Sequence, residues 1–227
     1  MTFEEFKLHF EIFSKIDTPE KLGICEQQYR THLIAKEDNN FFEPLDVPTA
    51  EFGRFPDYTT NLHSILGFSE INKDQILFLI QPSFEPEHLL IIEKLEDYYA
   101  LTHIKQEESY WLKYYQDKSI STARTRASKG FIEKTVGNQI FALIEQSLID
   151  AKKPQSARIV LDGIKYTLSK IVGGTRIDTF KNSPGENSKP GRIIQLFEII
   201  IELTTINPTP DSQNEIERLI TLILSEQ

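Results

Sequence analysis

The chain has 227 residues, with 25 Lys and Arg against 34 Asp and Glu, a net charge of −9 and a pI near 5.2. A single cysteine excludes a disulfide framework and every Cys-rich metal module. The overall sign argues against a protein that coats nucleic acid or an anionic membrane over its whole surface.

The chain opens Met1-Thr2-Phe3-Glu4-Glu5-Phe6, acidic where a signal peptide is basic. Its longest unbroken apolar stretch is Ile76–Ile80, far short of the ~20 residues a membrane span needs. The expectation is a cytoplasmic protein with no membrane association and with Cys25 as a reduced thiol buried in a helix. Phe3, Phe6, Phe10 and Phe13 recur at helical spacing, and Thr18-Pro19 supplies an N-cap and first-turn proline for a second helix to about Lys36. From Glu37 to Tyr58 prolines and glycine predict a loop, pinned to the core by Phe41, Phe42, Phe52 and Phe55. A short helix follows over Asn61–Leu66.

The middle predicts antiparallel sheet. Ile76–Ile80 forms one strand, and Leu89–Leu95 and Tyr98–Ile104 flank Glu96-Asp97 as a hairpin. Ser109–Tyr115 reads as a further aromatic strand, whereas Ser119–Ala127 suits a strand or the start of a helix. A helical stripe then runs through Phe131, Ile140, Phe141, Ile144, Leu148 and Ile149 to Lys152-Lys153-Pro154. Arg158–Leu161 and Ile164–Lys170 bracket the turn signal Asp162-Gly163, and Gly173-Gly174 turns the chain into Thr175–Phe180. After a Pro/Gly loop, Arg192–Ile206 is apolar on most sides and belongs at the centre. The last helix starts at the capping box Ser212-x-x-Glu215 and carries Ile216, Leu219, Ile220 and Ile223 on one stripe. The pattern predicts one α+β domain over residues 1–227: a helical N-terminal part to about 60, an α+β core over 61–206, and a C-terminal helix over 207–227.

No phosphate-binding loop, nucleophile elbow or helical metal-binding His pair is present, and no catalytic residue, cofactor or metal ligand is assigned. Two segments stand out. Tyr110-Trp111-x-Lys113-Tyr114-Tyr115, followed by Arg124 and Arg126, interleaves aromatics with bases, the pattern that stacks nucleobases and tracks phosphates. Trp111 and Tyr114 are the aromatic candidates, although placement in a sheet core is the stronger explanation of such residues. The loop before the last two helices brings Lys189 and Arg192 to a helix N-terminus, where backbone N–H groups favour an anion. An ordinary capped connector is the competing reading.

Charge is distributed unevenly: residues 1–112 carry net −12, 113–206 net +6 and 207–227 net −3. Such polarity steers partners of opposite sign or is neutralised within the fold.

The run Pro82-Ser83-Phe84-x-Pro86-Glu87, Ser109-Tyr110-Trp111, Asp162-Gly163-x-x-Tyr166 and Ser183-Pro184-Gly185 resembles small bacterial proteins of a domain family of unknown function. The likeness covers roughly residues 76–206 and rests on turn residues. It implies a bacterial origin and an α+β fold, and carries no activity to any residue. The leading expectation is therefore a non-enzymatic protein that binds another protein, of the accessory or immunity type, with its acidic half covering a basic partner. The alternative is a binder of an anionic ligand or nucleic acid at 113–134 or 183–192, and a third reading is an enzyme whose site is assembled from residues distant in sequence. Self-association through the apolar Ile193–Ile201 face is a further option.

Overall fold

A computed structural model describes residues 1–13, 15–45, 58–68, 70–117, 124–155, 163–205 and 210–225. The elements in chain order are α1 (Phe3–Phe13), α2 (Pro19–Asp38), β1 (Glu43–Pro44), α3 (Tyr58–Ile65), β2 (Gln75–Pro82), β3 (His88–Lys94), β4 (Tyr98–Gln106), α4 (Tyr110–Asp117), β5 (Thr125–Glu133), α5 (Lys134–Ile149), β6 (Ile164–Val172), β7 (Thr175–Asn182), α6 (Lys189–Glu202) and α7 (Pro210–Leu224). Seven strands form one antiparallel sheet in the order β1-β7-β6-β2-β3-β4-β5. The expected α+β class, with helices packed on a mainly antiparallel sheet, is what the chain adopts.

β2 is central and covered on both sides, so it reads as a continuous apolar run rather than an alternation. Ile76, Phe78 and Ile80 enter the larger core with α5, α6 and α7, whereas Leu77 and Leu79 enter a second core with α3 and α4. α6 lies between the sheet and α7. Its Ile193, Leu196, Phe197 and Ile200 are fully buried, which explains why it is apolar on most sides. The α7 stripe Ile216, Leu219, Ile220 and Ile223 closes the same core, each side chain contributing about 1.5–3 kcal/mol. At the β6–β7 hairpin Gly173 and Gly174 have φ of +58° and +83°, the left-handed pair that a two-residue turn requires.

α1 and α2 form a hairpin in which Phe3 and Phe6 pack on Tyr29, and Cys25 is buried. Lys181, 2% exposed on β7, fastens this hairpin to the sheet by donating to the Asp38 carbonyl and to Glu43 Oε1 at 2.9 Å.

Three sequence expectations change. Ser109–Tyr115 is not a strand but the start of α4, because Ser109 Oγ accepts from the Leu112 N–H at 3.3 Å and caps the turn. Phe131 does not belong to the helical stripe, since β5 continues to Glu133 and α5 begins only at Lys134. α7 begins at Pro210, so the Ser212 box lies inside its first turn. The predicted strand Arg158–Leu161, together with Phe52, Phe55 and Asp162, lies outside the described residues.

Candidate functional site

The two faces of the sheet are covered unequally. On the α3–α4 face the closing element is α4, held by a carboxylate from the β2–β3 connection. Glu87 is fully buried, and its Oε1 accepts from the Tyr58 hydroxyl and the Trp111 N–H, both at 2.8 Å. Its Oε2 accepts from the Tyr110 N–H, also at 2.8 Å. Two of the unpaired N–H groups at the start of α4 are thereby satisfied by a charge of the favourable sign. Tyr58 stacks on Tyr110 with centroids 5.4 Å apart and meets Trp111 edge-on at 5.3 Å. Burial pushes the Glu87 carboxyl above its usual range, against the pull of the Tyr110 N–H bond, and burial with the adjacent Glu87 pushes the Tyr58 hydroxyl up. The cluster is sealed and structural: no reacting group of it reaches solvent.

Beyond α4 the same face opens. The register sets Phe131 opposite Ala100, Lys129 opposite Thr102, and Ala127 opposite Ile104, so these residues share the α3–α4 face. Ile104 still packs on the smaller core, but Ala127, Lys129 and Phe131 are exposed, Phe131 by 56%. The Tyr98 ring, 43% exposed, meets Phe131 at 6.2 Å in a T-shaped contact. On the opposite face β5 is closed: a Cβ at Gly130 would lie 2.7 Å from the Leu203 carbonyl oxygen, and Ser128 Oγ bonds Thr204 Oγ1 at 2.7 Å.

The backbone of β5 is half used. The Glu107 N–H donates to the Arg124 carbonyl at 2.9 Å, which fixes the even-numbered residues of β5 as those turned toward β4. The N–H and C=O groups of Thr125, Ala127, Lys129, Phe131 and Glu133 therefore point outward. Among the described residues no strand pairs with that edge.

The residues singled out from sequence do not converge. Arg124 and Arg126 lie at the exposed start of β5, where Arg126 Nε pairs with Glu107 Oε1 at 2.7 Å. Lys189 and Arg192 lie at the start of α6, beyond β7. Lys189 Nζ is 3.4 Å from Asp150 Oδ2, and the Ser188 hydroxyl caps the helix by accepting from the Gly191 N–H at 3.1 Å. Trp111 and Tyr114 sit on α4, Tyr114 buried in the smaller core and Trp111 half-buried against Tyr58. Sequence reasoning missed Phe131 by counting it in the helical stripe, although its nine-residue separation from Ile140 is two and a half helical turns and would set the two on opposite faces. Gly130, a poor helix former immediately before Phe131, was the available signal against a helix there.

Among the described residues no group of three His, Cys, Asp or Glu side chains is arranged to hold a metal, and no helix is long and apolar enough to cross a membrane. Compared with known proteins, the chain matches no family model, no curated protein and no solved structure.

Proposed function

We propose that the protein is a binding module that captures an extended, acidic segment of another protein as an added strand on β5. The observation that supports this is the outward row of N–H and C=O groups at Thr125, Ala127, Lys129, Phe131 and Glu133, flanked by the exposed Phe131 and Tyr98 rings. Strand addition uses those groups for affinity and the alternate side chains for selection. Arg124 and Lys129, beside the Glu107-paired Arg126, make the entrance of the edge basic, so the fitting partner carries acids there. A second copy fits poorly. Symmetric antiparallel pairing about the middle of Thr125–Glu133 sets Lys129 against Lys129, and like charges directly opposite destabilise. Accessory or immunity-type action follows when the captured segment belongs to the protein being controlled. The sign differs from that of the basic partner expected from the −12 half, because the exposed edge belongs to the basic segment.

The test is fluorescence anisotropy with a labelled alternating Glu/Val peptide, a Lys/Val peptide of equal length and a single-stranded oligonucleotide. The Glu/Val peptide should bind and weaken with salt, and the Lys/Val peptide should not. Ala127→Pro removes an outward N–H without touching the β4 ladder, and Lys129→Glu reverses the charge; each should weaken binding about tenfold or more. Equal binding of both peptides, or binding indifferent to Ala127→Pro, overturns the reading. Preference for the oligonucleotide transfers the edge to nucleic-acid recognition.

A further inference from the structure

On the other face of the sheet, a cavity of about 320 Å³ opens between β6, the β7–α6 connection and one side of α6. Gly191, Ile194, Gln195 and Glu198 recur on α6 at steps of three, one and three, which places them on one face of the helix above the cavity. The wall is set by backbone. A Cβ at Gly191 would lie 2.2 Å from the Gly185 carbonyl oxygen, so the loop is pressed against the first turn of the helix. Ser183 holds a φ of +38°, a conformation that costs a non-glycine residue energy. Two bonds to Ile164 fix it there: the Ser183 N–H donates to the Ile164 carbonyl at 2.9 Å, and Ser183 Oγ accepts from the Ile164 N–H at 3.0 Å.

The base of the cavity is Tyr166. Its ring is stacked on Phe78 at 5.8 Å, which is in turn stacked on Phe197 at 4.2 Å. Tyr166 is only 7% exposed, yet its hydroxyl has no hydrogen-bond partner among the described residues. The hydroxyl is not one of the polar atoms shut off from solvent without a partner, so it opens into the cavity. Two carboxylates at the exposed rim, Glu186 and Glu198, share the lining with the Gln195 amide, and no cation lies among the described lining residues. Partial burial and the neighbouring Glu202 hold the Glu198 carboxyl above the usual range, the behaviour of an acid lacking a counter-charge. Burial, with Glu198 adding to it, pushes the Tyr166 hydroxyl up to about 12, so it stays a neutral donor and acceptor.

We propose that this cavity binds an organic cation, an ammonium or guanidinium on an apolar stem. The charge would face Glu198 and Glu186, the stem would lie along Ile194 and the Tyr166 ring, and Tyr166 Oη and the Gln195 carbonyl oxygen would accept its remaining N–H groups. The chemistry is shared by a lysine or arginine side chain of a protein and by a free amine or guanidine. The site is independent of the β5 edge, so the failure of either leaves the other standing.

The experiment is calorimetric titration of the full chain with agmatine, with a blocked Gly-Arg-Gly tripeptide and with its citrulline counterpart. Saturable binding of a cationic probe with no response to the neutral citrulline peptide is expected. Agmatine binding as tightly as the tripeptide assigns the site to free cations, and tripeptide binding alone assigns it to a protein side chain; both support the proposal. Glu198→Gln should weaken binding about tenfold with an unchanged thermal midpoint, and Tyr166→Phe should weaken it less. No saturation by either cation, or an affinity unaffected by Glu198→Gln, overturns it.

Discussion

On the face covered by α5, α6 and α7 the sheet meets a continuous apolar layer, in which Phe78, Phe197 and Tyr166 stack and α7 closes the outside. On the opposite face, among the described residues, α3 and α4 pack on the middle strands through a smaller mixed cluster of leucines and aromatics, and α4 is held there by a buried carboxylate. The difference separates two jobs. The α5–α7 layer meets the larger core, whereas on the other face Phe131 and Lys129 of β5 stay exposed. The lighter cover then depends on one acid that accepts from several donors. Burying a charge in this way stabilises little for its own sake, yet fixes where α4 begins.

The largest expected effect comes from the heavier face. Phe197→Ala removes a fully buried ring and should cost about 3–5 kcal/mol of global stability in urea denaturation. The next concerns the lighter face. Glu87→Ala removes the carboxylate that accepts from the Tyr58 hydroxyl and from the N–H groups of Tyr110 and Trp111, and should cost about 3 kcal/mol. The two losses should differ in reach. In Glu87→Ala, amide exchange should rise over α3 and α4 while α5 and α6 stay protected, whereas Phe197→Ala should speed exchange throughout the sheet. If α6 loses protection as fast as α4 in the Glu87 variant, the faces form one cooperative unit and the comparison fails.

Most of the heavier face was legible in the sequence. Ile76–Ile80, the Ile193–Ile201 run and the Ile216–Ile223 stripe each show a period or a continuous apolar block, because burial there is decided by long-range packing of aliphatic residues. The lighter face was not. Tyr110 and Tyr114 are four apart, which is helical, but aromatic composition favoured a strand until a Ser109 cap and a distant Glu87 decided it. Glu87 follows Pro86 in a run of turn residues, and nothing in its neighbourhood announces partners 23 and 29 residues away. The open edge was missed for the converse reason. Phe131 is apolar, so its spacing was counted toward a core stripe that it does not join. The acid-lined cavity was illegible too, because Tyr166, Ser183, Glu186 and Glu198 meet only after β6 and α6 are brought together.

The smallest expected effect tests the faces through adjacent residues that point opposite ways. Glu87 enters the α4 side, whereas His88 enters the α6 side, where its Nδ1 lies 3.3 Å from His103 Nε2. Burial, aided by Lys105 and by His103, lowers His88 to about 4 from an ordinary 6.5, and burial and Lys105 lower His103 as well. Folded His88 thus binds protons less readily than unfolded His88, so its stabilising contribution is present above pH 6.5 and is lost as pH falls toward 4. Glu87 has the opposite sign. Its folded value is raised from 4.5, so its contribution is complete below pH 4.5 and is lost as pH rises through the folded value. Between those limits the two faces oppose each other. Thermal midpoints measured across this range should fall with acid in the wild type. They should fall less in His88→Gln, where the histidine loss is removed, and more steeply in Glu87→Gln, where the opposing acid is removed. Parallel curves for all three proteins would mean that neither buried group titrates differently on folding, and that pH cannot distinguish the faces.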